Sequence, residues 1–198
     1  MKTRLLIIGL LVTAIAALIG CQTTASQPSN TSAAAQIDRE VDAALIKLYD
    51  TVPSAKVLAE QAKGILVFPS IVKGGFVVGA QYGKGALREA GRTVGYYSSL
   101  AASYGLQAGI QSFGYALFFM DDAALSYLDR SEGWEVGVGP SIVVLDHGKA
   151  KSITTTSVKD DIYAFIFSQR GLMADRVAGF QDHQDQSLAV GKAESGVL

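Results

Sequence analysis

Between residues 64 and 119 apolar residues stop recurring at helical spacing and fall into short runs cut by glycine. Residues 65–68 lie between Gly64 and Pro69, residues 76–82 follow the Gly74-Gly75 pair, and residues 93–98 and 103–119 come next. In the last run Tyr104, Leu106, Ala108 and Ile110 share one parity, and Ser103, Gly105, Gln107, Gly109 and Gln111 share the other. Successive side chains of a strand point to opposite faces. A face of Ser, Gly and Gln buries little on its own, so it is either solvated or pressed closely by another backbone.

Helical patterns flank these runs. Ile37, Val41, Ala44, Leu45 and Leu48 fall on one stripe of a helix predicted over residues 37–50. Its polar side mixes Asp38, Glu40 and Asp42 with Arg39 and Lys47, which suits packing on the sheet better than lying on an anionic membrane. Pro53 interrupts it, Ser54 is placed to cap a second helix over 55–63, and Gly64 ends that helix. Asp121-Asp122 opens a helix through Leu128. Residues 134–145 are strand-like with a break at Pro140, and Asp146-His147-Gly148 is a turn. Residues 151–158 alternate, and Asp160-Asp161 turns into a run over 162–167. Helices, strands, one inserted helix and more strands predict an α+β fold with a mainly antiparallel sheet of short Gly-rich strands.

The N-terminus is of another kind. Lys2 and Arg4 precede an apolar run over residues 5–19 that ends at Gly20-Cys21. A charged start, an apolar centre and a small residue before a cut mark a secretory signal over residues 1–20. The run is short for a spanning helix, which needs about 20 apolar residues. Leu18-Ile19-Gly20-Cys21 resembles the lipobox of bacterial lipoproteins, which implies cleavage after Gly20 and lipidation of Cys21. Cys21 is the single cysteine, so no internal disulfide forms. One acyl chain binds a membrane marginally and two bind it stably; a triacylated Cys21 is a permanent anchor. Gln22 in place of Asp favours, by resemblance to Gram-negative sorting rules, the inner leaflet of the outer membrane, facing the periplasm. Residues 21–36 read as a lipidated flexible tether, since 22–36 carry no charge and almost no large apolar residue.

Ala62-Lys63-Gly64-Ile65-Leu66-Val67-Phe68-Pro69 resembles the opening motif of the SYLF domain family. Lys73-Gly74-Gly75-Phe76-Val77-Val78-Gly79 and Tyr82-Gly83-Lys84-Gly85 follow at that family's spacing. Ser103-Tyr104-Gly105-Leu106-Gln107-Ala108-Gly109 corresponds to its central strand. Phe118-Phe119-Met120, Ala124-Leu125, Gly133-Trp134-Glu135-Val136-Gly137-Val138-Gly139-Pro140 and Gly171-Leu172-Met173-Ala174 complete the resemblance. The resemblance covers Ala62 to Ala174 and implies a lipid-binding module, expected as a SYLF-type domain over residues 37–180. Eukaryotic members bind phosphoinositides and sometimes actin or its regulators, and bacterial members are mostly exported lipoproteins. Tyr96-Tyr97 stands where eukaryotic members carry an aromatic-Pro segment, and core packing is its default role. After Ala174 the resemblance stops: a glycine and a further apolar strand are expected, and Asp175 with a polar stretch stands there instead. Either the tail has diverged or its reading frame has changed. Residues 181–198 are expected to be disordered, leaving a neighbouring strand edge unpaired.

Net charge is −1, which argues against nucleic-acid binding. The charge is unevenly spread. Residues 56–92 hold Lys56, Lys63, Lys73, Lys84, Arg88 and Arg92 against Glu60 and Glu89; residues 93–148 hold one basic residue, Arg130, against six acidic ones. Lys63, Lys73, Lys84, Arg88 and Arg92 are therefore the candidate lipid-binding residues, as a patch facing anionic head groups. The plain alternative is a set of solvated surface cations. Gly79 to Gly85 lacks the spacing of a phosphate loop and reads as a hairpin with glycines at turns. No Gly-x-Ser-x-Gly elbow is present. Asp182, His183 and Asp185 read as solvated tail rather than metal ligands, and Asp121-Asp122 and Asp160-Asp161 as helix-start and turn residues. The chain is thus expected to be a non-catalytic envelope lipoprotein that needs no cofactor or metal and binds phospholipid. The alternative is a scaffolding lipoprotein with an envelope protein as partner, marked by an exposed apolar patch without converging cations.

Overall fold

A computed structural model describes residues 30–130, 134–135, 140–145, 159–175 and 189–192. Its elements are α1 (Asn30–Thr51), α2 (Pro53–Ala59), β1 (Gly64–Glu89), β2 (Arg92–Phe119), α3 (Asp122–Arg130), β3 (Trp134–Glu135), β4 (Ile142–Leu145), β5 (Ile162–Asp175) and β6 (Ala189–Lys192). The fold is α+β. The sheet runs β3-β6-β2-β5-β4, and β1 pairs with the other edge of β2. All pairings are antiparallel except β4 with β5.

The short runs expected from the glycines are two long strands. β1 and β2 form one hairpin paired from Glu89↔Arg92 to Gly64↔Phe119. Its turn is Ala90-Gly91, both at positive φ (46° and 77°), a two-residue connection that matches strand twist. The turn is therefore not at Gly83 or Gly85. Pro69 does not end the strand; it sits in a bulge between Phe68 and Ile71, where a residue without an N–H is tolerated.

Glycine serves instead to fold the hairpin onto itself. A methyl group on Gly75 would overlap Gly79 Cα, so β1 bends sharply there. A methyl on Gly83 would lie 2.8 Å from Ile71 Cγ1 and 2.9 Å from the Ser70 carbonyl oxygen, and one on Gly85 would overlap the Val67 carbonyl oxygen. The far half of β1 thus crosses directly over its own beginning.

This crossing divides the core into two layers. The inner face of the curled sheet buries Leu66, Phe68, Ile71, Leu87, Tyr97, Phe113, Tyr115 and Leu117, capped by Ala124 and Leu128 of α3. The outer face at the base buries Val67, Ala86, Ala116, Phe118, Tyr163, Phe165 and Phe167 beneath Ile37, Val41, Ala44 and Leu48 of α1 and Ala55 and Leu58 of α2. Phe118 and Phe165 meet edge to face at 5.2 Å, a favoured aromatic geometry.

Several boundaries differ from expectation. α1 begins at Asn30, inside the expected tether: Ala33, Ala34 and Ala35 are the best helix formers and extend a helix already fixed by its packed stripe. α2 begins at Pro53, its N-cap is Val52 without a side-chain bond, and Ser54 Oγ is buried without a partner. The expected disorder of 181–198 does not hold at Ala189–Lys192, which pairs with Tyr97–Leu100 of β2 and with β3. β5 runs on through Asp175. Cys21, the turn 146–148, the run 151–158, residues 176–188 and the triad Asp182, His183 and Asp185 lie outside the described residues.

Candidate functional site

Register partners across a sheet point to the same face, so the outer face can be followed outward from the helices. Beyond Gly114↔Phe167 the next row is Val72, Ser112 and Arg170, then Gly74, Ile110 and Leu172, then Phe76 and Ala108. Past the bend the same face continues through Val78, Ala80↔Ala102 and Tyr82↔Leu100. The row of Ser112 and Arg170 borders α1, and the exposed side chains of the rows beyond it lie outside the helix cover. Leu172 is 89 % exposed, Phe76 78 % and Ile110 68 %, and Val72, Val78, Tyr82 and Leu100 are exposed as well. The bend at Gly75 to Gly79 puts Phe76 and Val78 on the convex side of the fold. A run of large apolar side chains on one face of a monomer marks an interaction surface, since isolated exposed ones need no explanation but clustered ones do.

The opposite parity points inward and is small and polar. It holds Lys73, Gly75, Gly79, Gln81, Gly83 and Ser99. Gln81 and Ser99 are buried, and Ser99 Oγ finds no partner. Close pressing by another backbone occurs on this face at Gly83, where an added methyl would lie 2.9 Å from the Ser70 carbonyl oxygen.

The structure does not gather the five candidate cations on one face. Lys73 lies on the inner face opposite Gln111 and is only 9 % exposed, so it does not belong to a membrane-facing patch. Arg88 is held by α1: its guanidinium donates to Asp42 Oδ1 at 2.7 Å and to the Asp38 carbonyl oxygen at 3.1 Å. Thr93 Oγ1 and Tyr96 Oη also donate to the Asp38 carboxylate, at 2.6 and 3.0 Å. This cluster straps the hairpin end to the helix. Burial, reinforced by the Asp38 carboxylate, pushes the Tyr96 hydroxyl above its ordinary range. Lys63 is exposed at the start of β1, Arg92 is exposed beside the hairpin turn, and Lys84 is half-buried on the outer face. The reason is parity: the bulge at Pro69 and Ser70 switches which face β1 residues reach, and charge counts along the chain do not register it.

The paired carboxylates have structural partners. Asp121 Oδ1 accepts from the Ala124 N–H at 2.7 Å, an N-terminal cap of α3. Asp161 Oδ2 accepts from the Ser141 N–H and hydroxyl at 2.8 and 2.9 Å, which ties β4 to β5 and holds its carboxyl below the usual range. Asp160 accepts from Tyr163 Oη at 3.2 Å. Among the described residues there is no group of three metal-ligating side chains and no helix long and apolar enough to cross a membrane. Sequence reading missed Phe76, Ile110 and Leu172 as surface residues; the signal available was their shared parity with the gaps in helix cover, which only the register reveals. No protein-family model matches the chain, and no curated protein matches it.

Proposed function

We propose that this domain binds phospholipid at a membrane surface as a non-catalytic, SYLF-type module, anchored through a lipidated Cys21 at the periplasmic side of the outer membrane. The observation that carries the reading is the uncovered apolar face built around Phe76, Ile110 and Leu172. Its convex crest suits insertion among acyl chains rather than enclosure of a small molecule. The residues quoted above for the SYLF resemblance support the same reading, and so does a lipobox that would hold the domain beside its ligand. A second reading is favoured by the scattering of the five candidate cations: the same face would dock an envelope protein.

Every described element begins at Asn30 or later, so residues 22–198 carry the whole described fold without the anchor. The test is flotation of this fragment with vesicles of graded anionic content at low and high salt. A Phe side chain contributes about 1.5–3 kcal/mol when fully buried, and Phe76 is mostly available. Phe76→Ser is therefore expected to weaken binding by about 2 kcal/mol, roughly thirtyfold, without lowering the unfolding midpoint. Failure of the unaltered fragment to float with any vesicle would refute lipid binding and leave the protein-docking reading.

A further inference from the structure

Where the apolar face meets α1, three backbone irregularities coincide. β1 bulges at Pro69 and Ser70, the β2–β5 register shifts between Ser112 and Gly114, and Ser168 on β5 sits at φ 56°. Bulges re-aim side chains and recur beside binding sites, and a non-glycine residue at positive φ persists only where its surroundings impose it. Together they open a groove of about 420 Å³ between α1 and the sheet. Ser70, Ser112 and Ser168 line it with hydroxyls, and Lys47 and Arg170 bring two cations against one carboxylate, Glu40. Glu40 already accepts a hydrogen bond from Gln36 Nε2 at 2.8 Å.

We propose that this groove is an anion subsite for the phosphate of a phospholipid head group. The inference rests on the membrane-docking reading and deepens it. A guanidinium, an ammonium and three hydroxyls supply the charge-assisted donors that phosphate oxygens accept. Placement decides the ligand class. Ser112 and Arg170 share a row with Val72, and the next row outward is Gly74, Ile110 and Leu172. A phosphate in the groove therefore lies one row from the apolar crest, which is the order of groups in a phospholipid: ionic head, then acyl chain.

Three arms test this on residues 22–198. Flotation uses vesicles of phosphatidylcholine alone and of equimolar phosphatidylcholine and phosphatidylglycerol, and NMR titration uses glycerol phosphate as a soluble head-group probe. Lys47→Glu and Arg170→Glu are each expected to weaken binding to the mixed vesicles about tenfold or more, and to weaken binding to phosphatidylcholine alone by less, because its choline ammonium offsets the charge of the same phosphate. Lys56→Glu, on exposed α2 surface outside the groove, is expected to leave both unchanged. Equal losses from Lys56→Glu and Arg170→Glu would overturn the subsite in favour of diffuse attraction, and no loss from Arg170→Glu would overturn it outright. If the unaltered fragment binds neither vesicle, the docking reading fails and glycerol phosphate alone decides. Perturbed amides at Ser112 and Ser168 that vanish in Arg170→Glu would keep the groove as a site for a soluble phosphate ester; unperturbed amides would overturn it.

Discussion

Replacing Gly85 with alanine attacks the crossing of β1 over itself. The added methyl would overlap the Val67 carbonyl oxygen and lie 2.7 Å from Phe68 Cδ1 and 2.9 Å from the Val67 carbonyl carbon. Overpacking a filled core by a methylene costs about 1–3 kcal/mol when side chains can yield. Here the main obstacle is backbone, which has no alternative rotamer, so the cost belongs at the top of that range, about 3 kcal/mol. At about 2–4 °C per kcal/mol for a chain of this size, the melting midpoint falls by roughly 9 °C. The assay is urea and thermal unfolding of residues 22–198 followed by circular dichroism, with Gly74→Ala as the matched control. A methyl on Gly74 meets only Ile110 Cγ1 at 3.6 Å and the Gly109 carbonyl oxygen at 3.8 Å. That is ordinary contact, and loss of glycine's backbone freedom offsets any small strain by about 0.5–1 kcal/mol. If Gly85→Ala unfolds within about 0.5 kcal/mol of the parent, β1 does not cross itself as described, and the two-layer core built on that crossing is wrong.

Two further substitutions probe polar groups of the sheet. Ser99→Ala removes a fully buried hydroxyl without a partner, so it should be neutral or stabilising by about 1 kcal/mol; a marked loss in urea unfolding would mean that the hydroxyl is bonded. Asp161 has a folded pKa below its ordinary 3.8 because the Ser141 N–H and hydroxyl donate to it. Its contribution to stability is therefore present above that ordinary value and is lost as pH falls through the lower, folded one. Ser141→Ala removes one of the two donors, so NMR titration should show the Asp161 carboxyl moving back toward 3.8; an unmoved titration would refute the assignment of cause.

The α1 stripe was legible because helical periodicity and burial obey the same spacing: Ile37, Val41, Ala44 and Leu48 are all buried. The α+β class and the cap at Asp121 followed from equally local chemistry. What misled were the glycines. They read as turns, whereas the true turn uses Ala90, a residue with no strong preference for positive φ, and Gly83 and Gly85 answer to a contact some fifteen residues earlier in the chain. Pro69 read as a strand end because a bulge and a break have the same local signature. The candidate site depended most on what the sequence hides. Ile110 belongs to the apolar parity of β2 and looks like core, yet α1 stops short of its row, so the same alternation that buries Ala116 and Phe118 leaves Ile110 in solvent. Arg170 entered no sequence argument because its relation to Ser112 exists only through the β2–β5 register.

β6 has a consequence for how the chain reaches this state. The β1–β2 ladder can zip outward from Ala90-Gly91 by local steps, on the scale of about 1–10 μs for a hairpin. The partner of Tyr97–Leu100 on its other edge is Ala189–Lys192, some ninety residues later in the chain. Until that segment docks, the N–H and C=O groups along this stretch of β2 stand open beside the exposed Leu100 side chain. An uncovered strand edge of this kind is a template for a second copy of the same chain. Pairing with Ala189–Lys192 closes that edge, so loss of this strand is expected to turn a well-formed hairpin into an adhesive one.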